Sequence, residues 1–329
     1  MRLLGFGSRW HIMVPEQALS SCDVVLMPWL HRHRLPEKLS VPVVACFHDA
    51  ILFQFEGLLP ARHIAEERES LLGWVANPRL RIVVSSNATI STLGRIFSTE
   101  KSRFDLVPVS GEHIPFSARP VPLKREWQKA PYLLCPANTF PHKNHDVLFN
   151  GFAKWGASYP LVISGEGTLM HPPRLGRHRD LRRLLGALRL EIGKDVIPMG
   201  YIGNDEYLSL LSHCRALIMP TKAEGGGSFP VFEAMNMGVP VICSDIPVLR
   251  EQMQRTGGEV IWFEVENPDG LASALRELDA NYTMYRERAM RQRESLNLRS
   301  WSEVAKEYRG IFGGACKQDD LNISLTLKA

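Results

Sequence analysis

The segment Glu224–Glu233, EGGGSFPVFE, sets three consecutive glycines between two carboxylates. Glycine has no Cβ, so a run of glycines lets backbone approach a ligand closely. Ser228 is a helix-capping residue type and Pro230 is tolerated in a first helical turn, so a helix is expected to begin here. A helix start preceded by glycines offers unpaired N–H groups to an anion, and phosphate is the usual occupant. Glu233 is expected in the first turn of that helix, where a carboxylate suits two hydrogen bonds from a ribose diol. An acidic residue near a helix N-terminus also serves simply to complement the helix dipole. The company of Glu224 and the GGGS run favours the ligand reading.

A second constellation lies in residues 135–155, CPANTFPHKNHDVLFNGFAKW. A strand is expected to end at Cys135, with a helix starting near Asn144. Lys143 then stands at the carboxyl edge of a sheet, where open α/β folds bind ligands. A lysine there can make a charge-assisted contact with a diphosphate, although a lysine in a loop is more commonly just solvated. His142 and His145 flank it, but their spacing across a helix start does not make a metal pair. The six cysteines form no CxxC and no zinc-spaced Cys–His set, so no metal site is expected. Cys46 and Cys243 sit in apolar runs and are read as small buried hydrophobes in a reducing compartment.

The elements that must carry these residues are short, continuous apolar runs alternating with helical stretches. Strands are expected at Asp23–Met27, Val41–Phe47, Arg81–Ser85 and Phe104–Val107 in the first half. The second half offers Tyr132–Cys135, Leu161–Ser164, Val196–Met199, Ala216–Met219, Val239–Cys243 and Val260–Trp262. Continuous rather than alternating apolar runs indicate strands buried on both faces of a parallel sheet. With helices such as Asn144–Trp155, Asp205–Cys214 and Pro230–Met237 between them, the pattern is doubly wound α/β. Gly111–Pro131, with four prolines, reads as a linker. The expected division is therefore 1–120, 121–312 and a loose tail at 313–329. The first part is short of strands, and Gly5 and Gly7 are a thin candidate for an opening glycine turn. The Arg-rich stretch Arg174–Arg189 reads as a solvated surface, with a lipid- or partner-facing strip as the alternative.

A chain of 329 residues suggests about two domains at roughly 150 residues each. Hydrophobic residues make up 45% and charged residues 22%, which excludes extensive disorder, collagen and coiled coil. No apolar run approaches the ~18 residues that span a bilayer. Arg9 and His11 interrupt any signal core, so a cytoplasmic location is expected. The net charge of +4, from 39 basic and 35 acidic residues, is too balanced to argue for nucleic acid. The excess falls in residues 1–130, with 16 Lys and Arg against 12 Asp and Glu. Ordinary solvation accounts for it, with peripheral contact at the inner face of a membrane as the sharper alternative.

The motifs LVISGEGTL and VIPMGYIGNDEYLSLLSHCRALIMPTKAEGGGSFPVFEAMNMGVPVICSDIPVLRE resemble the nucleotide-sugar domain of the retaining glycosyltransferases of family 4, the group 1 glycosyltransferases. The resemblance covers about residues 131–295. In the first half, VPVVACFHDAI and RIVVSSNAT resemble the family's strand ends. It implies a GT-B fold, two Rossmann-like doubly wound domains facing a cleft, with the N-terminal one abbreviated. It also implies a nucleotide-diphosphate sugar as donor, no cofactor, and a glycan or lipid-linked acceptor in polysaccharide assembly. By that resemblance Glu224 contacts the donor sugar, Glu233 the ribose, and Lys143 the diphosphate. His48 faces the reacting sugar, and Tyr201 and Ile202 line the base pocket. Donor-binding positions are thus Asn138, Tyr201, Ile202, Gly225, Gly226, Gly227, Ser228, Phe229 and Glu233, with Lys143, Glu224 and His48 in catalytic roles. Two departures stand out. Eight residues separate the glutamates where the family has seven, and Asn138 replaces a common arginine.

The implied reaction is retaining transfer of a hexose to an acceptor hydroxyl, with Lys143 and the GGGS amides stabilising charge on the departing diphosphate. A GT-B sugar-nucleotide epimerase and a non-catalytic donor-binding subunit or remnant are the alternatives. The first calls for acid and base residues that the sequence does not supply in a dense set.

Overall fold

In a computed structural model the described residues are 12–13, 22–31, 33–34, 41–55, 60–77, 80–112, 122, 124–169 and 181–326. Gly5, Gly7, residues 113–121 and 123 of the proline-rich stretch and residues 174–180 of the Arg-rich stretch lie outside them. The chain divides into two compact units, residues 1–109 with 301–329, and residues 110–300.

The first unit contains β1 (Ile12–Met13), β2 (Val25–Met27), β3 (His33–Arg34) and β4 (Val43–Cys46). These are followed by α1 (Ile51–Gln54), α2 (Ala61–Ala76), β5 (Leu80–Val84), α3 (Asn87–Phe97) and β6 (Phe104–Leu106). Strands β2-β4-β5-β6 form a parallel sheet in that order, and β1 pairs with β3. Successive strand residues face opposite sides. Val43, Ala45 and Ile82 therefore meet Leu71, Trp74, Leu93 and Phe97 of α2 and α3 on one face. Val44, Cys46 and Val83 look the other way, and the chain's last helix covers them through Val304 and Ala315.

That helix corrects the expected tail. The chain's last helix, Trp301–Thr326, runs well past Gly313, and Tyr308 brings its hydroxyl 3.1 Å from the Cys46 sulfur. Burial of an apolar helix face against the sheet supplies the order that local sequence does not announce.

The second unit contains β7 (Leu133–Pro136), α4 (His145–Trp155), β8 (Leu161–Ser164), α5 (Leu181–Ala187), β9 (Val196–Pro198), α6 (Asn204–His213) and β10 (Ala216–Met219). It continues with α7 (Phe229–Asn236), β11 (Val241–Ser244), α8 (Pro247–Thr256), β12 (Ile261–Phe263), α9 (Pro268–Ala280) and α10 (Tyr282–Ser295). Its sheet is parallel throughout, in the order β12-β11-β10-β7-β8-β9. Numbered from β7, that is the dinucleotide-fold order read from its far edge. Strands such as LVIS, ALIM and VICS are buried at every position, as two covered faces require.

The proline-rich stretch is not all linker. Residues 126–129 form a short 3-10 turn, and Gln128 is buried against Ser209 and the Tyr132 hydroxyl. The chain thus joins the second unit before β7 begins. Every strand expected from the sequence is present, with each end within two residues of its expected place.

Candidate functional site

In the second sheet the chain winds outward from β7 through β8 to β9, then returns to β10 and winds the other way. The strand order reverses between β7 and β10, and loops leaving the carboxyl ends of such a pair part to leave a crevice. The two sequence constellations occupy these two loops.

The loop after β7 makes a 3-10 turn, Pro141–Lys143, and then passes through Asn144 in the left-handed region (φ 59°) before α4. Asn144 is 1% exposed. Its side-chain amide donates to the carbonyls of Pro220 (3.0 Å) and Val265 (2.7 Å), so one residue ties the loops after β7, β10 and β12 together. The Lys222 N–H adds a bond to the His142 carbonyl at 2.7 Å. Held this way, the Lys143 Nζ lies 2.6 Å from Glu224 Oε1, and both side chains are largely buried. Two charges this close in a part-buried setting form a strong hydrogen-bonded pair.

His142 and His145, on either side of that lysine, are uncharged at neutral pH. Burial, followed by the Lys143 charge, pushes them down to about 3 and about 4 respectively. Among the described residues no group of three or more His, Cys, Asp or Glu is placed to hold a metal.

Glu233 lies on α7. Because that helix begins at Phe229, the carboxylate sits in the second turn rather than the first. It is 6% exposed and accepts a hydrogen bond from the Tyr207 hydroxyl of α6. Burial first, and then the neighbouring carboxylate, raises the Tyr207 pKa well above its ordinary value, so the phenol stays a donor. An open cleft of about 260 Å³ adjoins them, lined by Pro136, Ser164, Gly165, Tyr201, Ile202, Asn204, Tyr207, Phe229, Pro230 and Glu233. The Tyr201 ring is 90% exposed at its mouth, a flat face of the kind on which a base stacks. Gly165 is held at φ +125°, and a Cβ there would lie 2.9 Å from the backbone of Ala137, so the β8 loop can close on the β7 loop only with glycine.

The structure thus brings Tyr201, Ile202, Phe229 and Glu233 to one cleft and pairs Lys143 with Glu224 on the loops at the strand reversal. One expectation needs correction. The Ser228 side chain makes no capping bond; its N–H is taken by Gln252 Oε1 at 2.7 Å, so that amide is not open to an anion. Asn138 spends its side-chain oxygen on the Phe140 N–H at 3.2 Å, closing a local turn. His48 belongs to the first unit, at the end of β4. Its Nε2 donates to the Pro28 carbonyl at 2.8 Å, and its ring stacks on Trp29. Behind it, His31 contacts the Asp49 carbonyl (3.2 Å) and the buried Glu67 (3.1 Å). Burial lowers the His31 pKa, but Glu67 and Asp49 outweigh it and raise it overall.

Sequence reading missed Asn204, Tyr207 and Gln252. Asn204 and Tyr207 follow the GY turn at helical spacing, a signal that puts them on one helix face but names no partner. Gln252 had none.

A doubly wound parallel sheet with acidic and basic side chains meeting at its strand reversal defines an α/β protein with a candidate ligand crevice at that reversal. Residues 123–295 match the family described as glycosyl transferases group 1, and the chain belongs to that family. Among curated relatives, the serotype-specific mannosyltransferase WbdA of Escherichia coli is 36% identical over 74% of this chain and 27% of its own length. The O-antigen chain mannosyltransferase B of Escherichia coli is 26% identical over 68% of this chain and 58% of its own length. The chain therefore spans less than two thirds of the length of these relatives. Among solved structures, a sucrose-phosphate synthase from Thermosynechococcus elongatus superposes with a TM-score of 0.63 at 18% identity, covering 89% of this chain and 70% of that one. The fold is the GT-B fold of such glycosyltransferases.

Proposed function

We propose that the protein transfers a hexose, with retention, from a nucleoside-diphosphate sugar to a hydroxyl of a growing polysaccharide. The observation that carries this reading is the Lys143–Glu224 pair at 2.6 Å on the loops of the strand reversal. On this reading the ammonium serves the diphosphate and the neighbouring carboxylate the sugar, with the nucleoside in the Glu233 cleft. As the bond from C1 to the phosphate oxygen breaks, negative charge grows on that oxygen, and a fixed ammonium lowers the barrier most where it needs no rearrangement. The acceptor oxygen bonds to C1 on the same face and its proton passes to the departing phosphate, so the chain need supply no carboxylate nucleophile. Mannose is the sugar that the relatives' names suggest, and their O-antigen role suggests a glycan or lipid-linked acceptor. Six free thiols support a reducing, cytoplasmic setting, with the membrane's inner face as the place where such an acceptor is met. Among the described residues no helix is long and apolar enough to cross a membrane.

The test is incubation of the purified protein with GDP-mannose, and separately with UDP- and ADP-sugars, with and without α-mannoside acceptors. The product linkage is then read by NMR. Acceptor-dependent release of nucleoside diphosphate with an α-linked product is expected. A β-linked product sinks retention, and a free epimer formed from donor alone replaces transfer with epimerisation.

A further inference from the structure

Gln252 lies on α8, outside both constellations, yet its side chain reaches the glycine turn. It is 1% exposed. Its Oε1 accepts the Ser228 N–H at 2.7 Å, and its Nε2 donates to the Ser228 carbonyl at 3.2 Å. One amide side chain thus satisfies both polar groups of one residue's backbone. The same carbonyl also accepts the Phe232 N–H at 3.2 Å, within α7. Gly227, just before it, adopts φ +115°, and a Cβ there would stand 2.7 Å from Gln252 Oε1. The amide oxygen is therefore packed against the turn as well as bonded to it. Thr256 Oγ1, donating to the Gln252 carbonyl at 2.8 Å, caps the arrangement from the next turn of α8.

This clamp leaves a particular set of groups behind. The N–H groups of Gly226 and Gly227 bond to nothing among the described residues, and the Ser228 hydroxyl is buried without a partner. Pro230 has no N–H to offer. Successive unpaired amides in a turn with a left-handed glycine form a concavity suited to phosphate oxygens. An amide side chain buried to 1% is retained at a cost that only full hydrogen bonding offsets. Here both side-chain hydrogen bonds of the amide go to the backbone of one residue, Ser228, in the glycine turn.

We infer that Gln252 is a positioning residue for the diphosphate: it fixes Ser228 so that the Gly226 and Gly227 amides face the same anion as Lys143. The inference rests on the donor reading above and adds a residue that touches neither sugar nor phosphate. It makes a phosphate-specific prediction, because the cleft that takes the nucleoside is lined by other residues.

The test compares full-length wild type, Q252M and Q252E by calorimetric titration with GDP and GMP, and with UDP and UMP in parallel. Methionine keeps the volume and removes both hydrogen bonds. Expected for Q252M is a loss of about tenfold in diphosphate affinity with monophosphate affinity held within about twofold. Q252E keeps the acceptor for Ser228 N–H and, when protonated, the donor as well. Its preference for diphosphate should approach wild type near pH 5.5 and fall toward that of Q252M near pH 8, while wild type changes little. Equal losses for mono- and diphosphate, or an unchanged preference in Q252M with Q252E insensitive to pH, overturn the role of Gln252. Wild type binding none of the four nucleotides, with E233A indistinguishable from it, is the separate result that defeats the donor reading itself.

Discussion

Lys143 and Glu224 are 81 residues apart in sequence and 2.6 Å apart in space. The pair has two consequences. Each charge is largely removed from water, so each depends on the other, and on the proposed donor reading a diphosphate would meet an ammonium already aimed and partly desolvated. K143A removes the cation and leaves Glu224 unpaired; by comparison with the loss of one fixed electrostatic donor elsewhere, about 3 kcal/mol, transfer should slow roughly a hundredfold. K143R should restore little of it, since a planar guanidinium does not reproduce a point contact. Steady-state rates at saturating donor check this, and a K143A rate within threefold of wild type sinks the assignment. These residues were legible in the sequence as candidates, because charge, glycine and proline are local signals, while the roles assigned to them came from the family resemblance. Tyr207 and Gln252 were not, because each reaches the site from another helix, 26 residues from Glu233 and 24 from Ser228. Nothing in a tyrosine or a glutamine on a helix says which neighbour it will bond.

Elements were legible where they are self-declaring. Strands such as Val43–Cys46 and Val241–Ser244 are apolar runs bounded by turns, and burial on both faces follows. The last helix was not, because Gly313 and Gly314 interrupt the sequence where Phe312 and Ala315 continue the stripe begun by Val304, Tyr308 and Ile311. At this scale the β7–α4 connection carries a pH dependence. His142 and His145 have folded pKa values of about 3 and about 4, below the ordinary 6.5. The unfolded chain therefore takes up protons that the folded one refuses, and stability is lost as pH falls from 6.5 toward 4. For His145 the loss is on the order of 3 kcal/mol by pH 4. Denaturant melts between pH 7.5 and 4.5 should show it. H145F, which keeps the ring packed against Phe149 and cannot be protonated, should melt with a shallower acid slope than wild type. Parallel slopes for the two proteins would remove His145 as the cause.

At the scale of the whole chain, length indicated two domains, but not that the chain leaves the first unit after residue 109 and returns to it at residue 301. The return is what closes the first sheet. On one face β4 and β5 are covered by α2 and α3, which follow them closely. On the other, Val44, Cys46, Val83 and Val107 wait for Val304 and Ala315, and Cys46 meets Tyr308 across 262 residues. Contacts between residues so far apart in sequence leave no local periodic signal to read. The second unit has a separate apolar core within residues 110–300, drawn from β7, β8 and β10 with α4 and α9. A chain ending at Ser300 should therefore keep the nucleotide cleft and lose the cover of the first sheet. The truncated protein is expected to bind the dye ANS strongly and to lose hydrogen-exchange protection in β4 and β5, while still binding nucleoside diphosphate within about threefold of full length. Full protection of β4 and β5 without residues 301–329 would show that this helix decorates the sheet instead of completing it. Loss of nucleotide binding would show that the second unit depends on the first for its fold.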